Sequence, residues 1–212
     1  MGASLPGQMM MMARAGMIVP AMEYIYPFHL GQFGLSAKAF YRHPVQAWKA
    51  ADAFLEQEDS AAYELSVDGA KALNDTIKCM PGVYYFSYAG QATAPDAEGN
   101  QVPTDAVWSM FKSSSAAIGK KRPAFTTPGG VRIDDKWLPN DGLVNLVSAQ
   151  YPFGEPHKKY DQKKIERGVW QVMPTVAGFD HADFGGGMQK LGGKEGFKEL
   201  QMGVVGILEK LG

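Results

Sequence analysis

The stretch Val131–Gly187 constrains this chain more than any other. It has two fixed points. Asn140-Asp141-Gly142 follows Trp137-Leu138-Pro139, and Asp180-His181 follows the strand-like run Gly168-Val169-Trp170-Gln171-Val172-Met173. An acid in a strand-end turn, then a further strand, then a histidine in the next loop brings a carboxylate and an imidazole to one site from positions 40 apart (181 − 141). Such a pair suits proton transfer. The carboxylate fixes one ring nitrogen, and the other titrates near neutrality. A nucleophile to complete the set is not found in the sequence: no serine stands in Gly-x-Ser-x-Gly. Gly2-Ala3-Ser4-Leu5-Pro6-Gly7 has the wrong spacing and opens no strand–turn–helix.

The 212 residues suffice for one domain with a sizeable core, and 45% hydrophobic with 20% charged residues is ordinary globular composition. A formal charge of −1 supplies no basic field for nucleic acid or anionic lipid. The single cysteine, Cys79, excludes an intrachain disulfide and a multi-cysteine zinc cluster. Beside Met80-Pro81, it reads as a small apolar residue rather than a reactive thiol. No apolar run is long enough to span a bilayer, since Met9–Met22 is broken by Arg14 and Pro20. The N-terminus lacks the pattern of a signal peptide, which leaves a cytoplasmic protein or a true N-terminus upstream as the expectations.

Taken in order, Met9–Met12 are four consecutive methionines, read as core packing or as an adaptable apolar surface. Glu23–Leu35 reads as a compact aromatic loop. Val45–Gln57 has an apolar stripe at Val45, Trp48, Ala51 and Leu55, with Pro44 in the first turn of a helix. Ser66 is a candidate cap for a helix over Gly69–Lys78 with Ala70, Leu73 and Ile77 as its inner face. Val83–Tyr88 is β-branched and aromatic, apolar on both faces, and reads as a covered strand. Ala89–Pro103 reads as a surface loop. A helix is expected over Ala106–Ala117, facing inward with Val107, Met110 and Phe111, followed by a loop over Lys120–Gly130. Tyr151–Arg167 is polar and basic, a solvated excursion, and Glu195–Leu211 is an amphipathic closing helix. Strands alternating with helices imply an α/β arrangement with parallel strands.

Several blocks carry more than spacing. They are Tyr26-Pro27-Phe28-His29-Leu30-Gly31-Gln32-Phe33-Gly34-Leu35, Asp59 through Ala70, Tyr84-Tyr85-Phe86-Ser87-Tyr88, Ile133 through Asn145, and Gly168-Val169-Trp170 through Asp180-His181. In this order and near this spacing they resemble the thermoalkalophilic and staphylococcal-type bacterial triacylglycerol lipases. The resemblance spans roughly residues 20 to 187 and covers the C-terminal half of that family. It implies an α/β class and a partial α/β-hydrolase fold: the C-terminal strands and helices of a mostly parallel sheet, with the N-terminal half missing. Residues 1–22 would be a lid-proximal segment, 23–187 the matched region and 188–212 the C-terminal helix. The implied protein is a C-terminal fragment of a triacylglycerol lipase, begun at an internal methionine.

By that resemblance Asp141 is the triad acid and His181 the base, although Asn-Asp-Gly taken alone is also turn chemistry. The elbow serine and the oxyanion donors belong to the half not matched. Asp183 corresponds to an acidic calcium ligand of the family. The family's next ligand pair, aspartate–proline, is replaced here by Met188-Gln189, so a solvated loop aspartate is the alternative. Asp59 corresponds to one of four zinc ligands, the other three lying in the unmatched half. Calcium and zinc are thus implied for the full-length protein, and neither for this chain alone. The resemblance further implies secretion and an acylglycerol substrate at an oil–water interface, with no nucleic-acid partner and no transmembrane segment. A non-catalytic lipid- or partner-binding module built on the same half-fold is the alternative from another class.

Overall fold

The computed structural model describes residues 42–43, 45–46, 49–50, 61–186 and 193–211. The methionine run, the aromatic loop, Asp59 and most of the helix expected over Val45–Gln57 lie outside the described residues. The chain divides into two compact units. Among the described residues one holds 42–43, 45–46, 49–50, 61–76 and Thr127–Val131, and the other holds Ile77–Thr126 and those from Arg132 onward.

In the first unit, α1 spans Ala61–Glu64 and α2 spans Val67–Thr76. Ser66 caps α2 as expected, its Oγ accepting the Gly69 N–H at 3.0 Å. A Cβ on Gly69 would lie 2.1 Å from the Tyr63 carbonyl oxygen, so only glycine lets the chain pass there. The Asp68 carboxylate accepts from Thr127 Oγ1 and from the Gly129 N–H, closing the turn over Thr127–Val131. The expected inner face is not buried: Leu73 is 45% exposed, and it is Val67 and Gly69 that are buried.

In the second unit, β1 (Tyr85–Ser87), β7 (His157–Lys159) and β8 (Trp170–Val172) form a parallel sheet in the order β1-β8-β7. Farther along the same two chain directions, β2 (Gly90–Gln91) pairs in parallel with β9 (Val176–Ala177). The register places Tyr85 opposite Trp170, with ring centroids 5.1 Å apart, the kind of aromatic cross-strand pair that stabilises a ladder. Parallel pairing and helices agree with the α/β reading. The strand expected over Val83–Tyr88 is shorter than its composition suggested and only half-buried at Tyr85 and Phe86.

Three stretches read as loops contain strands. β3 (Thr93–Pro95) and β4 (Gln101–Pro103) form an antiparallel hairpin. Its turn is organised by Asp96, which accepts from the backbone N–H of Glu98 and Asn100 and from the Asn100 side chain. These bonds to the ionised form hold the Asp96 carboxyl below its ordinary range, those to Asn100 contributing most. β5 (Phe125–Thr126) pairs with β6 (Arg132–Ile133), and β7 lies inside the polar excursion. The helix expected over Ala106–Ala117 begins later. A 3-10 turn over Ser109–Phe111 leads into α3, Lys112–Gly119, which buries Ser114, Ser115 and Ile118. Met110 faces outward, 49% exposed. Val107 is fully buried ahead of the helix, in a cluster with Ala92, Ala106 and the flank of Phe111. α4 spans Leu146–Gln150 and α5 spans Gly193–Leu211, the closing helix, with Ile207 buried and Leu208 exposed.

Glu155 fastens the approach to the sheet. It is nearly buried, accepts the Cys79 N–H at 2.8 Å and lies 3.2 Å from Lys78 Nζ. Burial first, then the neighbouring carboxylate, pushes the Cys79 thiol above its ordinary range, as suits an unreactive cysteine.

Candidate active site

The site is assembled from two turns of the second unit, one before α4 and one after β9. The first begins at the 3-10 turn Asp135–Trp137, capped by Asp134, whose side chain accepts the Lys136 N–H. Trp137 and Leu138 enter the core, and Pro139 delivers Asn140 into it with no exposed surface. Its buried amide is fully used. Oδ1 accepts from Ser115 Oγ and from the Gly142 N–H, both at 2.9 Å, and Nδ2 donates to the carbonyls of Ser115 and Leu138. A buried polar group satisfied on every side specifies one conformation, and this one sets the direction in which Asp141 leaves the core.

Asp141 divides its two oxygens between its own turn and His181. Oδ1 accepts the N–H groups of Leu143 (3.0 Å) and Val144 (2.7 Å), a side-chain-closed turn. Oδ2 lies 3.0 Å from His181 Nδ1. The turn bonds fall on one oxygen and the contact with His181 on the other. Gly142 follows at φ +104°, where a side chain is strained, and a Cβ there would sit 3.0 Å from Phe111 Cβ.

His181 stands in the turn that leaves β9 through Gly178, at φ +78°. Two bonds bind it to Asp141. Its ring uses Nδ1, and its backbone N–H donates to the Asp141 carbonyl at 2.9 Å. The ring meets Phe111 edge-on at 6.4 Å and remains 46% exposed. With Nδ1 occupied, Nε2 is the nitrogen left for proton exchange. The hydrogen bond that His181 Nδ1–H donates to Asp141 raises the affinity of the ring for a proton. Partial burial opposes this, and the charges of Asp141 and Asp180 add to it.

Below the histidine, Asp180 and Asp183 are both buried. Asp180 Oδ1 accepts the N–H groups of Ala182 and Asp183, and Oδ2 accepts that of Trp108 at 2.7 Å. Asp183 Oδ2 accepts the Asp180 N–H, while its Oδ1 has no protein partner. Burial, more than the nearby Asp180, pushes the Asp183 carboxyl up. The solvated loop aspartate foreseen as an alternative is therefore corrected: Asp183 lies inside. Asp183 offers one free oxygen toward the about six to eight that calcium takes from different segments. Among the described residues no group of three or more His, Cys, Asp or Glu side chains is placed to hold a metal ion. The zinc candidate Asp59 lies outside the described residues.

Of the predicted site residues, Asp141 and His181 are brought together and Asp183 is placed beneath them. Ser114 and Ser115 donate into the Asp141 turn, to the Gly142 carbonyl and Asn140 Oδ1, which commits both to structure. His157 stacks on Tyr151, with centroids 3.6 Å apart. The distant contacts of Asn140 with Ser115, of Asp180 with Trp108 and of Phe111 with His181 had no signal in the sequence, since those partners lie 25 or more positions along the chain.

A family model described as "Lipase-like, C-terminal domain" matches residues 23–211, and the chain belongs to that family. Among curated relatives, the lipase of Staphylococcus hyicus is 33% identical over 132 residues, 61% of this chain and 19% of that protein. Lipase 1 of Staphylococcus aureus (strain NCTC 8325 / PS 47) is 32% identical over 162 residues, 75% of this chain and 22% of that protein. Among solved structures, that of Staphylococcus hyicus lipase superposes with a TM-score of 0.67 at 25% identity, over 95% of this chain and 48% of that one. EstA from Clostridium botulinum superposes with a TM-score of 0.60 at 30% identity, over 73% of this chain and 37% of that one. The chain spans about a fifth of the length of the curated relatives it matches. Among the described residues, no helix is long and apolar enough to cross a membrane.

Proposed function

We propose that this chain carries the acid and the base of a serine-hydrolase triad, within a partial α/β-hydrolase fold, and serves a triacylglycerol lipase. The reading rests on one observation above the rest: Asp141 Oδ2 lies 3.0 Å from His181 Nδ1 in a lipase-like C-terminal domain. Nε2 of His181 takes the proton of a serine hydroxyl as its oxygen attacks the ester carbonyl, and Asp141 stabilises the imidazolium that forms. His181 then returns the proton to the alkoxide as the carbon–oxygen bond breaks. A water molecule, deprotonated by the same nitrogen, releases the acid from the acyl-enzyme. The serine and the oxyanion donors would come from a nucleophile-bearing half, because no Gly-x-Ser-x-Gly occurs in the sequence. The substrate would be an acylglycerol at an oil–water interface, met outside the cell. Asp59 would contribute to a zinc site of the whole protein, and no chemical step uses it.

The test joins this chain in frame behind the half of Staphylococcus hyicus lipase that it does not overlay and follows p-nitrophenyl ester hydrolysis. His181→Ala is expected to lower turnover by roughly a million-fold and Asp141→Asn by about ten-thousand-fold, the ranking seen in other serine triads. Full turnover by the His181→Ala protein would show that another group is the base.

A further inference from the structure

The carboxylate of Asp180 has no part in the proton transfers above, yet it is buried, 1% exposed, on the residue just before the histidine. Its three hydrogen bonds are of two kinds. Those from Ala182 (2.9 Å) and Asp183 (3.2 Å) are local and close the turn that bears His181. The third comes from the Trp108 N–H, 72 positions away in sequence, and at 2.7 Å it is the shortest. It fixes Trp108 at φ −57° and ψ 141°, the residue from which the 3-10 turn Ser109–Phe111 starts. That turn projects the Phe111 ring between two neighbours. On one side Phe111 lies edge-on to Trp108 at 5.3 Å, and on the other edge-on to the His181 imidazole at 6.4 Å. Its Cβ occupies the space that a side chain at Gly142, next to Asp141, would need.

These contacts form a closed circuit from Asp180 through Trp108 and Phe111 to the imidazole, and back through residues 181 and 180 of the same turn. The Asp141 bonds restrain the ring at Nδ1 and at its own backbone, whereas Phe111 is the aromatic neighbour that the ring meets edge-on. A buried carboxylate that accepts one distant amide and two local ones locks the wall and the histidine turn to each other.

We propose that Asp180 is a positioning residue for His181, clamping the histidine turn to the Trp108–Phe111 wall so that the imidazole stays aligned on Asp141 with Nε2 outward. The proposal rests on the acid–base reading given above, but its test does not depend on ester hydrolysis. In the full 212-residue chain, labelled for magnetic resonance, the rate at which the His181 Nδ1–H exchanges with water reports how firmly the ring is held. Asp180→Asn keeps the shape but turns an amide donor toward a backbone N–H. It is expected to speed that exchange about tenfold, the effect of losing one hydrogen bond to a charged group, while amides of the β1–β8 ladder keep their protection. A folded Asp180→Asn chain with the wild-type Nδ1–H exchange rate would overturn the proposal. If that variant does not fold, Phe111→Leu decides through the last link of the circuit: faster exchange supports the clamp, and an unchanged rate refutes it. Asp141→Asn separates the two readings. If the wild-type chain shows no Nδ1–H proton that Asp141→Asn removes, the acid–base pair itself is wrong and the clamp falls with it. If it does, and Asp180→Asn changes nothing, the clamp alone fails.

Discussion

Replacing Asn140 with alanine removes four side-chain hydrogen bonds at once from a position with no solvent exposure. At a net worth of about 1 kcal/mol each, the loss is about 4 kcal/mol. The groups left behind, the Gly142 N–H, Ser115 Oγ and the carbonyls of Ser115 and Leu138, stay buried without that partner, which argues against a smaller figure. Against a whole-domain stability of about 5–15 kcal/mol this is a large fraction. Urea unfolding followed by tryptophan fluorescence suits the measurement, because Trp137 lies buried three residues away. With a slope of about 2 kcal/mol per molar, the midpoint should fall by about 2 M at unchanged slope. A fall under about 0.5 M would mean that the network can be met by other donors and acceptors, and that Asn140 does not set the course of the Asp141 turn.

Other outcomes follow from the same geometry. Gly142→Ala forces a side chain onto φ +104° and against Phe111 Cβ, so a loss of about 1–3 kcal/mol in thermal or urea unfolding is expected, with weakened Asp141–His181 pairing. Because His181 binds its proton more tightly folded than unfolded, its pairing stabilises the fold fully below the unfolded value of about 6.5 and loses that contribution as pH rises through the raised folded value. The stability gap between the wild-type chain and His181→Gln should therefore be widest in mild acid and should close with alkali; a gap that widened with pH would reverse the assigned sign. By itself the 212-residue chain should hydrolyse p-nitrophenyl esters no faster than its His181→Ala variant, since Ser114 and Ser115 are buried and bonded into the Asp141 turn.

The juxtaposition of Asp141 and His181 was legible because chain order carries it: a turn acid, a strand, then a histidine. Parallel pairing was legible from the apolar, β-rich runs around Tyr85 and Trp170. The hairpin of β3 and β4 was not. Its strands have three residues each, too few for an alternating pattern, and each ends on a proline, which argues against a strand when read alone. Helical spacing at Leu73 revealed an apolar stripe without revealing whether it is covered. The helix begins later than Ala106 because the chain first closes a tight turn, the Val107 N–H donating to the Thr104 carbonyl while the Thr104 hydroxyl donates to the Ala92 carbonyl and accepts the Ala106 N–H. The contact of Asp180 with Trp108 stayed illegible for a related reason. What distinguishes it from any turn aspartate is a donor 72 positions away, and no local pattern encodes that.

The arrangement of protons on the His181 ring tests the central claim most directly. An imidazole serving as the base must, when neutral, keep its hydrogen on Nδ1 toward Asp141 and leave the Nε2 lone pair free. Nitrogen-15 shifts of the histidine ring above its titration range should show a protonated Nδ1 and a bare Nε2, with the Nδ1–H signal lost in Asp141→Asn. A neutral ring protonated on Nε2, unchanged by Asp141→Asn, would contradict the assignment of these two residues as the acid and base of a hydrolase.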